Sequence, residues 1–196
     1  MTGAEGKMKM KGFVIPVVAI ALLAGCATDQ GARRERIVKE QSGQLPAPTT
    51  PLSSYSRFEL KPMDMDGGVA GDPAKAAVAK DLETRLQAQL DPMFTRWNAA
   101  GGDGSAKTLI VQPRVTQLRV IHGVTRALAG AFAGDSSITM ELELRDAATG
   151  AVIAKPSIVR SASGVAGAWS FGATDQNLLG YVAEIATEYL QHHHGR

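Results

Sequence analysis

The chain has 196 residues, of which 44% are hydrophobic, 20% charged and 5% aromatic. That balance excludes a disordered or fibrous chain and points to a globular core of small and aliphatic side chains. The formal charge of +2 belongs to the N-terminus, where Lys7, Lys9 and Lys11 stand against Glu5; from residue 26 onward the chain carries 18 basic and 18 acidic side chains, with no basic footprint for nucleic acid.

The first recognisable element is a targeting segment. Residues 7–12 (KMKMKG) are a short basic run, and residues 13–23 (FVIPVVAIALL) are 11 apolar residues. A spanning helix needs about 20, so the run reads as the apolar stretch of a signal peptide. Residues 1–6 add nothing to this pattern, so Met8 and Met10 stand beside Met1 as candidate starts. The run ends in Leu23-Ala24-Gly25-Cys26, which resembles the lipobox of bacterial lipoproteins. The small residues suit a peptidase that grips extended backbone, and a cysteine thiolate is a soft nucleophile able to take up a diacylglycerol. The resemblance implies cleavage between Gly25 and Cys26, lipidation of Cys26, and membrane attachment through the lipid. By the same resemblance, Ala27 in place of Asp implies the outer membrane, facing the periplasm. As the chain's one cysteine, Cys26 also excludes an internal disulfide.

Residues 27–54 are polar, carry Pro46, Pro48 and Pro51, and read as a flexible tether; Arg33, Arg34 and Arg36 would be solvated, or would serve as a binding arm. A single α+β domain is expected over 55–191, with 192–196 as a tail. Its first strand is 55–62, where Phe58 and Leu60 alternate with Arg57, Glu59 and Lys61 before Pro62. A loop over 63–72 follows. Asp72-Pro73 then opens a long helix with Val78, Leu82, Leu86, Leu90, Met93 and Trp97 on one stripe, ended by Gly101-Gly102. Residues 107–121 read as a strand whose apolar parity switches between Val115 and Leu118, which predicts a bulge near Thr116-Gln117. Pro113 predicts an open edge on one side of that strand.

The clearest alternation runs from Ile138 through Met140 and Leu142 to Leu144. It leads into the turn 146–150 (DAATG) and a returning strand with Val152, Ala154, Pro156 and Ile158. A glycine-rich loop, 161–173, holds Trp169 and Phe171. Asp175 is expected to cap a final helix with Leu178, Leu179, Val182, Ile185, Ala186, Tyr189 and Leu190 inward. The order β-α-β-β-β-α implies a mainly antiparallel sheet with two helices on one face.

No nucleophile elbow, Walker loop or zinc-helix motif is present, so no catalytic, cofactor or metal site is expected and the protein reads as non-enzymatic. His122 has no partner nominated by sequence. His192-His193-His194 cannot all meet one ion from a helix, because consecutive side chains point about 100° apart. Asp64 and Asp66 lack the spacing of a calcium loop. The segment 123–134 (GVTRALAGAFAG) is apolar, with Arg126 its single charge and Leu128 and Phe132 its large side chains; it reads either as a packed crossover or as a contact loop. The run 126–137 (RALAGAFAGDSS), the alternation after it, and DAATG at 146–150 together resemble a family of small uncharacterised bacterial lipoproteins over residues 55–190. In outline the chain is also similar to lipoproteins that assemble into envelope complexes, secretion-channel rings among them. These resemblances support fold and location; the lipobox, the tether, the missing catalytic motifs and the small-residue segment 123–134 point to a structural or assembly component that self-associates or binds an envelope protein. The alternative is a periplasmic small-molecule or lipid-binding module, with its crevice near Trp97 and Trp169.

Overall fold

Two long strands form the spine of the fold. The structure, a computed structural model, describes residues 18–101, 107–119, 136–162 and 173–195, with side chains for 30–101, 107–119, 136–161 and 177–195. Strand β3 (Thr108–Arg119) pairs antiparallel with β4 (Ser136–Asp146), from Leu109 opposite Asp146 to Arg119 opposite Ser137. On the far side of β3 lie two short strands, β1 (Arg57–Leu60) and β2 (Asp64–Met65), both parallel to it. On the far side of β4 lie β5 (Val152–Ala154) and β6 (Ser157–Ala162), both antiparallel. The sheet is thus mostly antiparallel, as expected, although the first strand joins it in parallel.

The expected bulge is present: the β3–β4 register skips between Val115 and Gln117. The skip turns Leu118 onto the buried face shared by Leu109, Val111 and Val115. Opposite them on β4, Ile138, Met140, Leu142 and Leu144 are fully buried. A second register shift, at Leu144/Arg145, was not foreseen. It places Ile153 inward and leaves Val152 exposed, reversing the expected parity at the start of the returning strand.

Pro113 does not mark an edge strand. The carbonyls of Val111 and Val115 accept from Lys61 and Asp66 N–H, so odd-numbered β3 residues turn their backbone toward β1 and β2. The missing N–H of Pro113 therefore faces the break between those two strands, where no ladder bond is lost. Pro156 is placed differently: its carbonyl accepts from Leu142 N–H (3.0 Å), so its ring nitrogen also faces β4, and one ladder bond is forgone at the break between β5 and β6.

Two long helices cover one face. Helix α3 (Pro73–Ala100) begins where expected, with the Asp72 carboxylate accepting from Ala74 and Lys75 N–H; such a cap is worth about 1 kcal/mol. The expected loop before it holds β2 and a one-turn helix, α2 (Gly67–Ala70). Helix α4 (Ala173–His194) carries its expected stripe from Leu178 to Leu190 inward. It starts two residues before Asp175, so Asp175 is not its N-cap.

The largest departure lies upstream. Helix α1 (Val18–Gln44) runs through most of the stretch expected to be a flexible tether. Chain contacts divide the protein into a unit ending at Arg36 and a unit from Ile37 onward, not at residue 54. In the second unit Val38, Leu52 and Tyr55 join the core, and Thr49 N–H donates to the Ile153 carbonyl (2.9 Å). The expected C-terminal tail is also part of the fold, because α4 continues through His194 and His193 is buried.

Candidate functional site

The face of the sheet away from the helices carries the even-numbered residues of β3 and the odd-numbered ones of β4. They form a charged lattice. Arg114 lies opposite Glu141, and Gln112 opposite Glu143. Arg114 pairs with Asp64 (3.6 Å) and Asp66; Arg145 pairs with Glu143; Lys155 reaches Glu141 (3.1 Å) and Glu143 (3.8 Å). The hydrogen bond from Arg114 to Asp66, with the nearby carboxylates, raises the guanidinium above its ordinary value. All of these except Asp66, with Lys61, line an open groove of about 660 Å³. Each pair is half-exposed and screened by water, so none contributes much to stability by itself. Their common effect is a fixed pattern of alternating sign, which selects partners by complementarity more than it adds affinity.

Three buried or partly buried contacts tie the surrounding elements together. Glu83 on α3 is buried and accepts from Met63 N–H (2.9 Å) and Lys80 Nζ (2.7 Å). The Lys80 hydrogen bond, opposed by burial, holds its carboxyl below the usual range. Asp146 accepts from Ala148 and Thr149 N–H and from the Tyr55 hydroxyl, which lowers its carboxyl, the Thr149 N–H contributing most. The turn it organises ends at Gly150, whose φ of 71° lies where only glycine is unstrained. The Tyr189 hydroxyl donates to the Pro46 carbonyl (2.8 Å), and burial pushes that phenol up to about 12.

The residues singled out from sequence do not gather at one place. The backbone across Gly25 and Cys26 lies inside α1. Their side chains, together with Arg126, Leu128, Phe132, His122 and Trp169, lie outside the described residues. Asp64 and Asp66 do come together, as partners of Arg114. Trp97 is packed rather than open: the His194 ring stacks on it at 3.9 Å and 4°, and Phe58 meets it edge-on at 4.9 Å. The His194 imidazole, half-buried there, is lowered by desolvation. Among the described residues no cluster of three or more His, Cys, Asp or Glu could hold a metal, and no helix is long and apolar enough to cross a membrane. Sequence reasoning missed the charged lattice, whose signal was the polar half of the alternation in β3 and β4.

Over residues 56–168 the chain matches a family described as a domain of unknown function, DUF4410. No curated protein matches it. Among solved structures it is similar to a dodecamer of a PelC variant from Paraburkholderia phytofirmans (14% identity, 75% of this chain and 95% of that one, TM-score 0.43). It is also similar to a candidate lipoprotein from Caulobacter crescentus (18%, 81% and 92%, TM-score 0.33) and to a hypothetical protein from Chlamydia trachomatis (11%, 70% and 99%, TM-score 0.37). Likenesses this distant leave function to the chain's own residues.

Proposed function

This chain belongs to the DUF4410 family, and on that premise we propose that it is a lipid-anchored, non-enzymatic component of an assembly in the cell envelope. Cleavage falls between Gly25 and Cys26, and lipid on Cys26 holds the domain at the outer membrane, facing the periplasm. Contact with a second copy or an envelope protein is made by the sheet edge or by the segment around Arg126, Leu128 and Phe132. The observation that carries the reading is Leu23-Ala24-Gly25-Cys26 directly after a basic run and 11 apolar residues. Several acyl chains on one residue anchor firmly, since each buried methylene contributes about 0.8 kcal/mol and one chain alone holds only marginally.

The test is metabolic labelling with a palmitate analogue in a bacterial host, followed by separation of inner and outer membranes. The wild type should carry label and travel with the outer membrane, while Cys26→Ser should be unlabelled and keep its uncut N-terminus. A wild type without label removes the anchor. Labelled protein in the inner membrane corrects the location alone. For the contact segment, exchanging 123–134 for a short polar turn should end partner capture without unfolding the domain; undiminished capture would put the contact elsewhere.

A further inference from the structure

Two of the outer strands have part of their outward backbone occupied. On β1, the Asn98 side chain accepts from Phe58 N–H (2.7 Å) and donates to the Phe58 carbonyl (3.1 Å), filling the place of a neighbouring strand. On β5, the Ile153 carbonyl takes both the N–H (2.9 Å) and the hydroxyl (3.2 Å) of Thr49. Strand β6 is different. The bond from Leu142 to Pro156 and the β4–β6 register turn the backbone of Ile158 and Arg160 toward β4. Ser157, Val159 and Ser161 therefore direct N–H and C=O outward, and among the described residues nothing bonds to those groups. β6 itself carries no proline, lysine or acidic side chain, and Val159 is 61% exposed. Beside Ser157 to Val159, the last turns of α1 (Gln41, Gln44) and Leu45 stand back across a groove of about 270 Å³.

Free backbone donors and acceptors in a row are complementary to one thing, another extended strand. We propose that β6 is a pairing edge for a second copy of this chain, whose own β6 adds antiparallel in a register centred on Val159; this rests on the reading of the protein as an assembly component and names its surface. That register is self-complementary. Val159 meets Val159, each Ser157 meets a Ser161, and each Ile158 meets an Arg160, so no like charges oppose. Arg160 is already held over its own Tyr181 ring at 4.7 Å, away from the incoming strand. The exposed Val159 gains an apolar neighbour, and two six-stranded sheets become one.

The test uses full-length protein extracted from membranes in mild detergent. Directly opposed hydrogen-bonded residues sit about 5.5 Å apart between Cα atoms, within disulfide reach. Oxidation should therefore crosslink Val159→Cys into a dimer, and should join Ser157→Cys to Ser161→Cys when the two are mixed. Ser157→Cys alone, and the wild type, should not crosslink. By light scattering the wild type should be an even-numbered assembly. Val159→Pro should be monomeric with an unchanged circular dichroism spectrum, because its lost N–H faces away from β4; Val159→Lys, which keeps the N–H, should also be monomeric should the proline variant unfold. A monomeric wild type, an assembly indifferent to both variants, or crosslinking of Ser157→Cys alone overturns the proposal and leaves the edge to a strand of another protein. A monomer that still carries palmitate sinks the pairing without touching the anchor.

Discussion

Leu52 decides whether residues 46–54 are tether or domain. It sits in a single 3-10 turn (Leu52–Ser54), is 0% exposed, and packs in the cluster shared with α4. A tether residue truncated to alanine changes nothing, since both states leave it in water. A fully buried leucine loses its transfer free energy and leaves a cavity, together about 2–5 kcal/mol. The surroundings of Leu52 are stiff: Tyr189 is fully buried and tied to Pro46, and Tyr55 is tied to Asp146. Little collapse into the cavity is therefore expected, and Leu52→Ala should cost about 3 kcal/mol. For a domain of this size that lowers Tm by about 6–12 °C. Urea unfolding followed by far-ultraviolet circular dichroism measures it, with the exposed Gln44→Ala as a control expected within about 0.5 kcal/mol. A Leu52→Ala midpoint indistinguishable from the control would refute the packing and restore the tether.

Other consequences are open to measurement. Asn98→Ala removes both partners of the Phe58 peptide and should cost about 1–3 kcal/mol in urea; a neutral result would mean water replaces the amide without penalty. Gly101→Ala would put a Cβ 2.3 Å from the Ser56 carbonyl oxygen, so one end of α3 must shift, at about 1–3 kcal/mol, whereas Gly68→Ala enters open space and should stay within about 0.5 kcal/mol. His194 titrates lower in the folded than in the unfolded chain, so the folded state binds its proton less readily. Its contribution is flat above about pH 6.5, where both forms are neutral, and stability falls as pH drops through that value before levelling. Urea midpoints between pH 8 and pH 5 should show the fall, and His194→Phe should remove that part of it; a midpoint that rises on acidification would reverse the sign of the argument.

Wherever a local rule was sufficient, the fold was legible in advance. Asp72-Pro73 marked the start of α3, the parity switch between Val115 and Leu118 marked the bulge, and the turn before Gly150 was visible from its residues. Most of what failed depended on partners distant in sequence, the Asp175 cap being a local exception. Nothing in residues 57–60 says that they join β3 in parallel, and nothing at Pro113 says that the break beside it falls between two strands. Residues 27–44 are too polar to show a stripe, and the burial of Val38 and Ser42 is set by the second unit. The histidine run was misread for a different reason: His193 and His194 continue the stripe of Tyr189 and Leu190 at helical spacing, but a polar residue type masked the period. The charged lattice could be found only as the wet half of two alternations. Its pairing needed the register.

The two proline breaks have a mechanical consequence. Amides in β3 and β4 are held from both sides, whereas β1, β2, β5 and β6 are short pieces separated at Lys61–Met63 and at Lys155–Pro156. Each piece is tied to the spine by its own short run of bonds, with a single bond left at each break, from Lys61 to Val111 and from Leu142 to Pro156, so each piece should open separately. In amide-exchange terms the sheet has a slow two-stranded centre and four independent margins, each with its own opening free energy. Strain arriving at one margin stops at the perforation, and the spine keeps its register.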